Sequence, residues 1–164
     1  MRILIADDHS VVRYSLHAIL GAEKNWEICG EAAAGDEAVE LARRLRPDVA
    51  ILDLSIPGIG GLEAAQHIKR EVAGIEVVVL TSYYSRALLR EILKMGILGF
   101  VLKSDAERDL VAAVEAVHHG QPYISRNPDA LLPKSSRISS LDSLLSDCEP
   151  FIQAEDAEVR QLVE

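Results

Sequence analysis

Residues 49–61 have the sequence VAILDLSIPGIGG, in which four apolar residues lead directly to one carboxylate, Asp53. Pro57 and three glycines follow and force the chain to turn. A short apolar run bounded by turn residues is typical of a strand buried on both faces of a parallel sheet. Asp53 then ends that strand, at the edge where open α/β sheets bind ligands. Because burying an unpaired carboxylate is costly, we expect polar partners for Asp53.

The composition indicates one domain plus an additional segment. The chain has 164 residues, of which 49% are hydrophobic, and no apolar run approaches the roughly 20 residues of a membrane span. Acidic residues interrupt the first apolar run too early for a signal peptide. Cys29 and Cys148 form neither a metal-binding spacing nor a disulfide framework, so we expect a cytoplasmic protein with no membrane partner. The net charge of −9 argues against binding of nucleic-acid phosphates by this chain.

Strand patterns and helix patterns alternate along the first two thirds of the chain. The predicted strands are Arg2–Ala6, Trp26–Ala32, Asp48–Asp53, Glu76–Thr81 and Leu98–Leu102. The predicted helices are 10–20, Asp36–Leu45, Leu62–Val72, Ser85–Met95 and one that starts near residue 105, where Ser104 and Glu107 have the capping-box spacing. This alternation predicts a doubly wound α/β fold, a five-stranded parallel sheet with helices on both faces.

Polar residues end four of the five predicted strands. They are Asp7 and Asp8 after the first strand, Asp53 on the third, Thr81 on the fourth and Lys103 after the fifth. Carboxyl ends of parallel strands share one edge, where clustered carboxylates repel one another unless a cation lies between them. Oxygen ligands without His or Cys suit Mg²⁺, and a lysine can contact a phosphate. The set predicts a phosphoryl-transfer site with Asp53 as the nucleophile.

These markers, together with Pro57-Gly58 and Gly61, resemble the receiver domain of bacterial two-component response regulators. The resemblance implies a flavodoxin-like sheet of order 2-1-3-4-5 and phosphorylation of Asp53 by a sensor histidine kinase. Thr81 and Lys103 then hold the phosphoryl oxygens, and Thr81 with Phe100 forms a switch. No enzyme activity is implied beyond phosphoryl transfer to the chain itself and autodephosphorylation. The implied Mg²⁺ ligands are Asp7 (through water), Asp8, Asp53 and the backbone carbonyl of Ser55.

Three further segments resemble the subfamily whose output is a LuxR-type helix-turn-helix. They are LTSY at 80–83, GFVLK at 99–103 and GQPYIS at 120–125. This resemblance implies transcription regulation through a DNA-binding output domain and dimerisation on phosphorylation, although no residue pattern sets a dimer interface. Two residues depart from common receivers: Ser104 follows the lysine in place of Pro, and Phe100 lacks the hydroxyl of a Tyr.

The C-terminal part differs in kind from the rest. We assign residues 1–121 to the receiver and 122–164 to a linker (122–136) and a partial or atypical helical segment, with short helices at Ile138–Leu145 and Ala154–Val163. Residues 122–164 contain eight acidic and four basic residues, and no basic recognition helix. We therefore expect a fragment of a longer DNA-binding regulator. The alternative is a receiver with an atypical, partner-binding tail and no DNA binding.

Two other classes of protein compete with the receiver interpretation. A haloacid-dehalogenase-like phosphatase also uses an Asp nucleophile and Mg²⁺, but it needs that Asp on the first strand and a second Asp two residues later. Here residue 55, two after Asp53, is a serine. A flavin- or nucleotide-binding module would need a Gly-rich phosphate loop after the first strand, and the chain has none there.

Overall fold

The apolar segments pair into one parallel sheet in the computed structural model, which describes residues 1–125. The strands are β1 (Arg2–Ala6), β2 (Glu27–Ala32), β3 (Val49–Asp53), β4 (Glu76–Thr81), β5 (Gly99–Leu102) and β6 (Tyr123–Ile124). The helices are α1 (Ser10–Leu20), α2 (Gly35–Leu45), α3 (Gly61–Glu71), α4 (Arg86–Lys94) and α5 (Ala106–His118). The strand order β2-β1-β3-β4-β5-β6 confirms the predicted order and extends it by one strand.

The core has two layers, one on each face of the sheet, and β3 is therefore buried along its whole length. Ala50 and Leu52 pack in the cluster formed with α2, α3 and α4, whereas Val49 and Ile51 pack in the cluster formed with α1 and α5. With both faces covered, only the ends of the central strands can open toward a ligand. None of the helices within residues 1–125 combines the length and hydropathy needed to cross a bilayer.

The sixth strand lies inside the segment that we predicted as a linker. Tyr123 pairs with Gly99 and Ile124 pairs with Phe100, so β6 covers the edge of β5. A two-residue strand directly after a proline is too short to show the alternation that identifies strands in a sequence. The rest of the predicted linker and the two predicted C-terminal helices lie outside the described residues.

The entry into α5 also differs in detail from the prediction. A 3₁₀ turn over Lys103–Asp105 precedes the helix, and Asp105 is the N-cap residue. No side-chain hydrogen bond caps the helix there, so the predicted capping box is not formed. The backbone instead turns directly out of β5, which keeps Lys103 at the sheet edge.

The turn after β3 packs tightly on the end of its own strand. Gly58 and Gly60 have φ values of 85° and 79°, in the left-handed region that glycine tolerates. A Cβ atom on Gly61 would lie 2.0 Å from the carbonyl oxygen of Asp53. Gly61 therefore allows α3 to start directly against the strand end that carries the carboxylate.

We expect Gly61→Ala to lower the free energy of unfolding by about 3 kcal/mol, because the added methyl group overlaps backbone that cannot move away. Gly74→Ala is the matched control, since its Cβ would contact nothing within 4 Å. Only the left-handed backbone is strained there, and the expected loss is about 1 kcal/mol. Urea unfolding followed by circular dichroism measures both; equal losses would contradict the packing argument.

Candidate functional site

The carboxyl ends of β1, β3 and β5 bring two acids and one lysine into direct contact. The Nζ atom of Lys103 lies 2.7 Å from Oδ2 of Asp7 and 2.9 Å from Oδ2 of Asp53. Both carboxylates have no exposed surface, whereas the lysine side chain is 21% exposed. The polar partner expected for Asp53 is thus an ammonium group shared with a second buried acid.

Backbone groups bind the remaining oxygen of each buried acid. The N–H of His9 donates to Oδ1 of Asp7 at 2.9 Å, and the N–H of Ser55 donates to Oδ1 of Asp53 at 3.1 Å. Burial alone would lower the pKa of Lys103, but its hydrogen bonds to the two acids outweigh burial and raise that pKa above the ordinary lysine value. The lysine is therefore charged, and it places one ammonium group between two acidic side chains.

Asp8 and His9 stand at the open side of this cluster. The Nδ1 atom of His9 lies 2.8 Å from Oδ1 of Asp8 and 3.5 Å from Oδ1 of Asp7. Ligand atoms of Asp7, Asp8 and His9 all lie within 4.8 Å of one another, close enough to hold a metal ion. Because the side chain of Asp8 is 35% exposed, a cation can reach the acids from this side.

Thr81 and Phe100 both contact the turn between β4 and α4. The hydroxyl of Thr81, at the buried end of β4, accepts from the N–H of Tyr83 at 3.1 Å and donates to the carbonyl of Tyr83 at 3.2 Å. The ring of Phe100 is 1% exposed and meets the ring of Tyr84 edge to face, with centroids 5.8 Å apart. Of the residues predicted for the site, Asp7, Asp53 and Lys103 touch directly, whereas these two face the turn between β4 and α4.

Arg13 binds the backbone of Asp7, and the sequence analysis did not predict it as a residue of the site. Its guanidinium donates to the carbonyl oxygen of Asp7 at 2.7 Å and to Oε2 of Glu31 at 2.8 Å. It therefore ties the loop after β1 to the end of β2. In the sequence, Arg13 stands out only by its position on the first turn of α1, four residues after His9. Helical periodicity alone predicts that such a residue faces solvent, so it gave no reason to assign Arg13 to the site.

Comparison with known proteins identifies the family. The model of the response regulator receiver domain matches residues 3–115. The chain is a response regulator receiver. It is similar to UvrY of Escherichia coli K12, with 36% identity over 125 residues, covering 76% of this chain and 57% of UvrY. Similarity to NreC of Staphylococcus epidermidis is 35% over 153 residues, covering 92% of this chain and 70% of NreC.

Solved structures give the same assignment. A LuxR-family response regulator from Aurantimonas sp. SI85-9A1 has a TM-score of 0.74 at 30% identity, covering 87% of this chain and 97% of that one. The isolated receiver domain of RcsB from Salmonella enterica serovar Typhimurium, in the presence of BeF₃⁻, has a TM-score of 0.73 at 30% identity, covering 81% and 99%. The receiver is thus of the NarL/LuxR type, and the chain spans just over half the length of UvrY.

We expect Lys103→Met to lower the free energy of unfolding, without divalent cations, by about 3 kcal/mol, since two buried carboxylates lose their shared counter-charge. Lys69→Met is the control: Lys69 pairs with one partly exposed acid, Glu76, at 3.3 Å, and should cost below about 1 kcal/mol. Adding Asp7→Asn to Lys103→Met should recover part of the loss. Urea unfolding measures all three, and no recovery would contradict the charge argument.

Proposed function

We propose that Asp53 accepts a phosphoryl group from a phosphohistidine of a sensor histidine kinase, and that this transfer switches the receiver between two packings. The observation that carries the proposal is the Lys103 ammonium held between the fully buried carboxylates of Asp7 and Asp53. A carboxylate oxygen beside a lysine ammonium is suited to attack phosphorus, because the ammonium can then stabilise the added negative charge. In this proposal, the kinase is bacterial and the transfer to this protein takes place in the cytoplasm.

The chemical step is an in-line displacement at phosphorus. An oxygen of Asp53 forms the new O–P bond while the N–P bond of the phosphohistidine breaks, and the electron pair leaves with the imidazole of the kinase. Lys103 then releases the carboxylate of Asp53 and contacts the phosphoryl oxygens. Thr81 breaks its hydrogen bonds to Tyr83 and turns its hydroxyl toward the same oxygens.

We infer that Mg²⁺ is the cofactor. Asp7, Asp8 and Asp53 supply hard oxygen ligands, the donor set that Mg²⁺ prefers, and the net negative charge of the cluster favours a cation. A bound Mg²⁺ would neutralise negative charge on the acids and on the phosphoryl oxygens. Asp8 and Asp53 would hold the ion with the backbone carbonyl of Ser55, and Asp7 would act through water.

We propose that phosphorylation at the carboxyl edge of the sheet changes the packing of the face formed by residues 85–119. Once Thr81 turns inward, the space beside it is open to Phe100, whose ring now packs on Tyr84. Phosphorylation therefore shifts the population between two packings of nearly equal free energy.

We propose that the output is transcription through a LuxR-type helix-turn-helix in the full-length protein, with dimerisation on phosphorylation. Support comes from similarity to regulators such as the transcriptional regulatory protein LiaR of Bacillus subtilis, with 37% identity over 124 residues. A receiver whose tail binds a protein partner instead of DNA is the second candidate, favoured by the acidic character of residues 122–164. A DNA-binding assay on the full-length protein separates the two.

Asp53→Asn should abolish labelling by acetyl phosphate, because the amide cannot act as the nucleophile. Asp48→Asn is the matched control: Asp48 directly precedes the opposite end of the same strand, its side chain accepts from the N–H of Arg2, and the variant should label normally. Radiolabelled acetyl phosphate with autoradiography measures both. Full labelling of Asp53→Asn would remove Asp53 from its role, and many turnovers of a phosphomonoester by the unaltered chain would favour the phosphatase alternative.

Asp8→Asn should weaken Mg²⁺ binding by at least about tenfold, since one of the few charged ligands of the ion is lost. Asp48→Asn again serves as the control, because its carboxylate lies at the other edge of the sheet and should leave the affinity unchanged. Isothermal titration with MgCl₂ gives the affinities. An unchanged affinity for Asp8→Asn would place the ion elsewhere.

A further inference from the structure

Ser125 lies at the end of β6 and binds the strand that leads into the site. Its side chain is 1% exposed, and its Oγ accepts from the N–H of Leu102 at 2.8 Å. Its own N–H donates to the carbonyl oxygen of Phe100 at 2.8 Å. One buried serine therefore makes two hydrogen bonds across the last residues of β5.

The two hydrogen bonds hold residues that directly precede Lys103 in the chain. Leu102 directly precedes Lys103 and is paired on its other side with Thr81 of β4. The end of β5 is thus held between Thr81 on one side and Ser125 on the other. β5 has only four residues, so the contacts of Leu102 act directly at the point where the strand ends.

We propose that Ser125 is a positioning residue that sets the place of the Lys103 ammonium through the backbone of Leu102. The inference rests on the proposed function for the role of Lys103 toward the phosphoryl group. It also joins the segment that follows residue 125 to the strand that carries Phe100 and leads to Lys103.

The test separates binding of the metal from binding of a phosphoryl mimic. In Ser125→Ala, Mg²⁺ affinity should stay within about twofold, because the acidic side chains are unchanged. Beryllofluoride affinity in saturating Mg²⁺ should fall about three- to tenfold, the change expected when one neutral hydrogen bond is lost. Ser125→Thr keeps the hydroxyl and should restore beryllofluoride binding. Ser15→Ala, which removes an exposed hydroxyl bonded within α1, should change neither affinity.

Unchanged beryllofluoride affinity in Ser125→Ala, an equal loss of Mg²⁺ affinity, or no rescue by Ser125→Thr would each overturn the inference. A second measurement is independent of phosphorylation: amide hydrogen exchange at Leu102 and the NMR signal of the Lys103 side chain should both change in Ser125→Ala while β1 and β3 do not. A uniform change across the sheet would overturn the inference. If the unaltered chain bound no beryllofluoride, the proposed function would fail, and this second measurement would still decide the role of Ser125.

Discussion

One ammonium group shared by two buried carboxylates is the constraint on which this receiver depends. Lys103 is separated from Asp7 by 96 residues and from Asp53 by 50. The three side chains meet only when β1, β3, β4 and β5 lie in this order in one parallel sheet, with their carboxyl ends at the same edge. Inside a protein, where the dielectric constant is low, their attraction is strong but desolvation is also costly. The site is therefore a product of the finished sheet and of no local segment.

The same constraint explains why the rest of the edge is built from short, tightly bound loops. The N–H groups of His9 and Ser55 complete the carboxylates, and Arg13 holds the loop that carries Asp7. Gly61 lets the next helix start against the end of β3. Each contact fixes backbone next to a charge, so that the charged groups are preorganised.

Residues on β4 and β5 contact the turn that precedes α4. Thr81 and Phe100 point their polar and aromatic groups toward the turn before α4, and β6 closes the sheet beside them. In the proposed mechanism, a change of charge at Asp53 reaches this region through groups that already have alternative partners. Solved receivers at 30% identity superpose with TM-scores above 0.7, because a buried parallel sheet needs an apolar pattern and tolerates many different residues within it.

The resemblance to receiver domains implied the strand order, whereas the apolar runs, their spacing and the polar residues at their ends were sufficient to predict the parallel sheet and the convergence of Asp7, Asp53 and Lys103. Those features follow from periodicity and from the rule that parallel strands share one carboxyl edge. The role of Arg13, the bonds that Thr81 makes to Tyr83, the 3₁₀ turn before α5 and the pairing of β6 depend on contacts between distant segments. Only the tertiary structure decided them, because a hydrogen bond between residues such as Leu102 and Ser125 leaves no periodic trace in either segment.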